Sequence, residues 1–355
     1  MPVAARLPLL VAGMLCLAAG VAAGLARLGF DTGAPAALHG PLLGGAFFGT
    51  VIGLERAVAL GRRWAFLAPL LSATGGLAWI VGAPALHGAL LLAGGGLVLL
   101  GASLVVLWRQ PELHLACLAA GAACLPFGAA AVAAVDPSAA TPAWLGFLVL
   151  TIAGERLELN RLLPPSPAAR RAFAAIACAF LGAVVAAVFA PAAGWKLVAL
   201  AALALAAWLA LKDIARRTVR ETGLTRYIAV ALLAGYFWLA AGAVVALADP
   251  GFAPGRPSWD AALHAWFLGF VFSMVFGHAP IIAPALLKVA LRYHWFFYVP
   301  LALLHLSLAE RIAGDLLLMP AVRERGAAAG AAAIALFLVT AVVSALRRGR
   351  MRPQM

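Results

Sequence analysis

The sequence predicts an all-α membrane protein, a polytopic bundle of about twelve transmembrane helices. Of the 355 residues, 65% are hydrophobic and only 11% are charged, whereas soluble domains carry roughly 25% charged residues. A transmembrane helix needs about 20 apolar residues, and apolar runs of that length recur from Leu7 to Leu346. Because the charge deficit extends along the whole chain, the sequence predicts a single integral membrane domain, residues 1–355.

Proline, glycine and aspartate mark several of the breaks between apolar runs, for example at Pro84 and at Asp249-Pro250-Gly251. These residues favour turns and interrupt helices. The predicted spans, numbered 1 to 12 in chain order, cover residues 8–30, 36–60, 64–83, 86–107, 113–135, 141–163, 172–191, 194–212, 224–248, 260–287, 294–318 and 326–346.

The basic residues predict the orientation of the chain. If the twelve spans alternate in direction, most of the 26 lysines and arginines fall at ends that face one side. The opposite ends carry only Arg27, Lys196, Arg256, Arg323 and Arg325. Basic loops stay in the cytoplasm, so we expect both termini there, in a bacterial-type inner membrane. The net charge of +13 is then explained by a lipid bilayer, and no nucleic-acid partner is expected.

Three spans that run in the same direction share a weak sequence pattern. Span 2 contains GTVIGLERAVAL, span 6 contains LTIAGERLELN and span 10 contains SMVFGHAPIIAP. These matches predict a threefold pseudo-repeat of four helices, with repeats at 1–110, 111–222 and 223–355. Chance similarity within an apolar chain of low complexity is the alternative explanation.

Histidines open two of these spans and are candidate metal ligands. His39 and His264 each follow a leucine at the start of span 2 or span 10, so they should lie at similar depth in the outer leaflet. Two imidazoles at matched depth on parallel helices can bind one haem (heme) iron from both faces. Arg311, expected near the same side, could pair with a haem propionate. The alternative is that both histidines are interfacial and bond to loop carbonyls.

His278 and His305 form a second candidate pair, expected at similar depth in spans 10 and 11. They could form a second metal site, with Met274 nearby. His278 follows His264 by about 21 Å of helical rise, so these two histidines cannot share a metal. The alternative for His278 is a hydrogen bond to backbone groups that a proline in the same span leaves unpaired.

Glutamate–arginine dipeptides lie inside spans 2 and 6, at Glu55-Arg56 and Glu155-Arg156. Neighbouring residues do not face each other on a helix, so each charge needs a partner on another helix. A reciprocal network, Glu55 with Arg156 and Glu155 with Arg56, would neutralise all four charges. Such a network fixes helix register, or it provides a proton path. On span 11, Arg311 and Asp315 are spaced to form an i, i+4 pair.

The sequence resembles the NnrS-like membrane proteins of the haem–copper superfamily. The likeness lies in Leu38-His39-Gly40-Pro41 and Leu263-His264-Ala265-Trp266, each followed by a span rich in small residues. It implies a haem-binding membrane protein of redox chemistry or nitric oxide response, with nitric oxide as a gaseous ligand and copper as a second cofactor. Span 7 lacks the histidine pair of terminal oxidases, so proton-pumping oxygen reduction is not expected.

A secondary transporter without a cofactor is the alternative function. In that case Glu55, Glu155 and His278 would be coupling residues, because ionisable groups inside the membrane usually serve ion or substrate pathways. The chain contains no Walker A loop, no GxGxxG motif before a helix and no GxSxG elbow, and these absences argue against an ATP-driven pump or an α/β-hydrolase.

Overall fold

The computed structural model describes residues 3–135, 137–160, 164–289 and 291–346, and no strand occurs within these ranges. The helices are α1 (Val3–Ala26), α2 (Phe48–Leu60), α3 (Leu67–Ile80), α4 (Ala85–Arg109), α5 (Leu113–Ala134), α6 (Thr141–Leu159), α7 (Pro167–Phe189), α8 (Pro191–Lys212), α9 (Ala215–Thr218), α10 (Gly223–Ala248), α11 (Pro257–His264), α12 (Phe272–Leu287), α13 (Tyr298–Leu316) and α14 (Pro320–Leu346).

Two π-helical segments extend these helices. One, Pro41–Phe47, leads into α2, and the other, Ala265–Val271, joins α11 to α12. Within the described ranges, short 3₁₀ turns connect other elements at Ala36–Leu38, Arg63–Phe66, Pro137–Ala140 and Trp295–Phe297.

Ten helical segments of the described chain are long and apolar enough to cross a membrane. The predicted all-α polytopic membrane fold is therefore confirmed. Two predicted spans do not meet this measure: 64–83 contains α3, which has 14 residues, and 141–163 contains α6, which has 19. Residues 161–163 of the latter prediction lie outside the described residues.

Local sequence signals explain where several helices begin and end. At the end of α2, Gly61 adopts φ 68° and ψ 14°, a left-handed conformation that favours glycine and terminates the helix. At the start of α7, the Ser166 hydroxyl accepts a hydrogen bond from the Ala169 N–H at 3.3 Å, as an N-cap residue does. Pro167 then occupies the first helical turn, where its missing N–H costs nothing.

The chain divides into two compact units. The first unit contains Met1–Leu205 and Gly251–Pro254, and the second contains Ala206–Pro250 and Gly255–Met355. The division thus falls inside α8, and it does not coincide with the boundaries of the predicted threefold repeat. That repeat stays a prediction.

Helix α6 forms the interior of the first unit. Fifteen of its side chains are buried, in an almost continuous run from Pro142 to Leu157. It contacts α5, α7 and the π-helical segment Pro41–Phe47. A helix that is apolar on all sides belongs in the interior of a bundle, and this placement carries the charged end of α6, with Glu155 and Arg156, into the protein.

In the second unit, α13 and α14 form a tightly packed antiparallel hairpin. A Cβ atom built on Gly314 would lie 2.3 Å from the Arg323 backbone nitrogen, and one built on Gly326 would lie 2.5 Å from the Arg311 backbone nitrogen. Small residues at such positions let two helices approach closely. The hairpin thereby brings Arg311, Asp315 and Arg323 into one region of the second unit.

Candidate functional site

His39 stands between a 3₁₀ turn and the first π-helical segment, and its imidazole packs against α1. Its Nδ1 atom lies 2.8 Å from the Gly20 carbonyl oxygen. The ring occupies space that a side chain at Gly24 would take, since a Cβ atom there would lie 2.6 Å from Nδ1. Because Gly24, one turn after Gly20, has no side chain, the imidazole can pack directly against α1.

His264 is the last residue of α11, directly before the second π-helical segment. Its Nδ1 atom lies 2.8 Å from the Asp260 carbonyl oxygen and 3.5 Å from Asp260 Oδ1. Two residues later, the Trp266 indole donates a hydrogen bond to the Leu239 carbonyl at 3.1 Å. This bond fixes the beginning of the π-helical segment to α10.

The two histidines share a tautomer that suits a metal ligand. A carbonyl oxygen can only accept, so Nδ1 of both rings must donate a proton. In the neutral imidazole, Nε2 then carries the lone pair that a metal requires. Metal-binding histidines commonly donate the other ring N–H to a carbonyl in this way, and π-helical turns occur frequently at functional sites. The predicted binding of one iron by both rings stays a prediction.

Arg311 forms its ion pair with a residue that sequence reasoning did not include. Its Nη2 atom lies 2.7 Å from Asp260 Oδ2, and its side chain is 9% exposed. Asp315 is also within electrostatic range of Arg311, but the salt bridge of its fully buried carboxylate is to Arg323, at 3.8 Å. The i, i+4 pair predicted on span 11 is thus replaced by two pairs that connect different helices.

Asp260 therefore links the candidate ligand to the buried charges of the second unit. Its main-chain oxygen orients His264, and its carboxylate binds Arg311. Arg311 keeps one further donor, because its Nε atom is buried and has no hydrogen-bond partner among the described residues. The spacing of Asp260 and His264 at i, i+4 was a sequence signal that could have identified this residue.

The glutamate–arginine network of the first unit forms in part. Arg56 Nη2 lies 3.2 Å from Glu155 Oε1, with both side chains about one fifth exposed (22% and 23%), which confirms that half of the prediction. Glu55 interacts electrostatically with Arg56 and Glu158, and also with Glu155. The other predicted pair, Glu55 with Arg156, stays a prediction.

His278 and His305 have different partners and different tautomers. His278 Nδ1 lies 2.7 Å from the Met274 carbonyl oxygen, one turn earlier on α12. His305 Nδ1 instead accepts a hydrogen bond from the Trp238 indole N–H at 2.9 Å. In neutral His305 the remaining proton therefore lies on Nε2, so neither ring nitrogen offers a lone pair to a metal.

This geometry does not favour the predicted second metal site. The Met274 methyl carbon packs against Gly235, where an added Cβ atom would lie 2.3 Å from it. Within the described residues, no group of three or more histidine, cysteine, aspartate or glutamate side chains could hold a metal ion. Trp238, which fixes the His305 tautomer, carried no recognisable signal in the sequence.

A protein-family model described as a domain of unknown function, DUF8744, matches residues 6–346. No curated protein and no solved structure matches the chain.

Proposed function

On the premise that this chain belongs to the DUF8744 family, we propose that it is a haem-binding integral membrane protein with His39 and His264 as iron ligands. The observation that carries this proposal is that both imidazole rings have the same tautomer, with the proton on Nδ1. Each donates from Nδ1 to a carbonyl at 2.8 Å, and each stands at the start of a π-helical segment. In this tautomer the Nε2 atom of each neutral ring carries the lone pair that a metal ligand needs.

Arg311 supports the same proposal. A haem carries propionates, and arginine binds carboxylates through several N–H groups at once. The buried Nε of Arg311 still needs an acceptor within the described part of the chain, while Asp260 holds another of its nitrogens in place. A propionate would satisfy this donor without breaking the pair with Asp260.

Bound haem would supply a redox-active iron, and a diatomic ligand would bind to it by displacing one of the two rings. The NnrS-like resemblance of the motifs around His39 and His264 extends the proposal to redox chemistry or nitric oxide response, with nitric oxide as the gaseous ligand. His39 and His264 would hold the iron through Nε2, the carbonyls bonded to Nδ1 orient both rings, and Arg311 would compensate the charge of a propionate. The His305 tautomer gives copper no comparable support.

The first experiment is an optical spectrum of the purified protein, oxidised and dithionite-reduced, with iron analysis of the same sample. We expect a Soret band that sharpens and shifts on reduction, with stoichiometric iron. His264→Ala and His39→Ala should each remove the low-spin spectrum, while His294→Ala should keep it, because His294 is bonded within its own turn, where it accepts a hydrogen bond from the Phe296 N–H. Unchanged haem content in both ligand variants would disprove the assignment.

The buried charges favour a second candidate function, a secondary transporter without a cofactor. Glu155 with Arg56 in the first unit and Asp315 with Arg323 in the second are ionisable pairs inside a membrane protein. Such residues commonly belong to ion or substrate pathways. A colourless, iron-free protein, expressed with adequate haem supply, would make this the leading proposal.

The proposal includes a location in a bacterial-type inner membrane with both termini in the cytoplasm. It rests on the bias of basic residues towards one set of loops. The test introduces single cysteines at exposed loop positions after Cys178, the exposed native cysteine, has been replaced by serine. A membrane-impermeant thiol reagent should label Asp31→Cys from outside the cell and should label Thr222→Cys only after the membrane is opened. The reverse pattern would invert the orientation.

A further inference from the structure

A pocket of about 260 Å³ opens at one end of the first unit, between the ends of α2 and α4 and the start of α5. Two arginines, Arg56 and Arg109, line it together with Gln110. The rest of its wall is mainly apolar and includes Leu60 and Leu118. A site with guanidinium groups beside aliphatic walls matches a ligand that has an anionic part and an apolar part.

The charge of this pocket is positive. None of the described residues that line it carries a carboxyl group. Arg56 is partly neutralised by Glu155, whereas Arg109 makes no ion pair with any described residue. The acidic residue closest in sequence, Glu112, is paired with Arg170 at 3.4 Å. Arg109 therefore contributes a positive charge that no described side chain offsets.

The pocket lies where a lipid headgroup would be. Arg109 is the last residue of α4, a membrane-length helix, and the preceding Trp108 is 86% exposed. Tryptophan and arginine at the end of a transmembrane helix mark the membrane–water interface. Basic pockets between transmembrane helices at this level bind the headgroups of anionic lipids.

We propose that this pocket binds an anionic phospholipid. The guanidinium groups of Arg109 and Arg56 bind the phosphate, which suits the planar donor arrangement of arginine. The glycerol and the first part of the acyl chains lie against Leu60, Leu115 and Leu118. The lipid then contacts both the basic and the aliphatic part of the pocket wall, whereas a free phosphate ion would leave the aliphatic surface without a partner.

The test measures lipid retention by native mass spectrometry. The purified full-length protein is exchanged into detergent with phosphatidylglycerol and phosphatidylcholine in equal amounts. We expect the wild type to retain phosphatidylglycerol selectively. Arg109→Gln should lower that retention about fivefold, the effect of one basic residue near an anionic membrane surface. The matched control is Arg63→Gln, because Arg63 is an exposed basic residue nearby that does not line the pocket.

A second variant tests the pocket without removing a charge. Ala59 lines the pocket and is exposed, so Ala59→Phe can fill the mouth with little strain and should also reduce retention. Equal retention by wild type, Arg109→Gln and Ala59→Phe would overturn the proposal. Displacement of phosphatidylglycerol by inorganic phosphate at equal concentration would identify a free-anion site and overturn the lipid assignment. Haem content is unaffected in either case, so the outcome is independent of the proposed function.

Discussion

Arg311 Nη2 lies 2.7 Å from Asp260 Oδ2, so a residue at the end of α13 is bound to the helix that carries His264. Asp260 serves two purposes at this point, because its main-chain carbonyl accepts the hydrogen bond from His264 Nδ1. The orientation of the candidate iron ligand and the neutralisation of a buried arginine thus depend on one residue.

Asp260→Asn should destabilise the protein by about 3 kcal/mol, because it removes the carboxylate that the buried Arg311 guanidinium binds at 2.7 Å. The measurement is thermal or denaturant unfolding in detergent. The double variant Asp260→Asn with Arg311→Met should recover most of this loss, since no unpaired charge remains. Additive effects of the two single substitutions would contradict the coupling.

Gly24→Ala should weaken haem binding through His39 although it changes no candidate ligand. The new Cβ atom would lie 2.6 Å from His39 Nδ1. The ring must therefore move away from α1 and lose its hydrogen bond to the Gly20 carbonyl. We expect a loss of low-spin absorbance approaching that of His39→Ala. The control is Gly101→Ala, where a Cβ atom meets nothing within 4 Å. Identical spectra for the two alanine variants would contradict the packing of His39 against Gly24.

Trp238→Phe should change the tautomer of His305. The substitution keeps an aromatic ring but removes the indole N–H that His305 Nδ1 accepts at 2.9 Å. We expect a ¹⁵N resonance shift of the ring in selectively labelled protein and a loss of about 1 kcal/mol of stability. Trp108→Phe, at a side chain that is 86% exposed, should do neither. A His305 resonance unchanged by Trp238→Phe would refute the hydrogen bond.

Glu155→Gln separates the two functions considered for this chain. It removes the carboxylate that pairs with Arg56 at 3.2 Å, and we expect a loss of about 1–2 kcal/mol. If the network is structural, the haem spectrum persists and no solute flux is lost; if the chain is a transporter, uptake into proteoliposomes is abolished. Glu112→Gln, which breaks an exposed pair with Arg170, should cost at most about 1 kcal/mol.

The lengths and apolar character of the helices were predictable because each one must satisfy its own backbone hydrogen bonds and match the bilayer thickness. Position along a span also indicated which polar residues would meet. It correctly paired Arg56 with Glu155 across nearly one hundred residues, because both lie near the same end of parallel spans. Depth alone was insufficient for His278 and His305, which are bound to different neighbours.

Hydropathy and charge act locally along the chain, so they were sufficient to predict a multi-span helical membrane protein with histidines at the start of two spans. Tertiary packing, in contrast, sets the hydrogen bonds of His39 to Gly20 and of Arg311 to Asp260, and the one that His305 Nδ1 accepts from the Trp238 indole. These hydrogen-bond partners depend on the rotation of each helix about its axis and on close packing. A rotation of one helix exchanges its partners without changing the hydropathy of any residue.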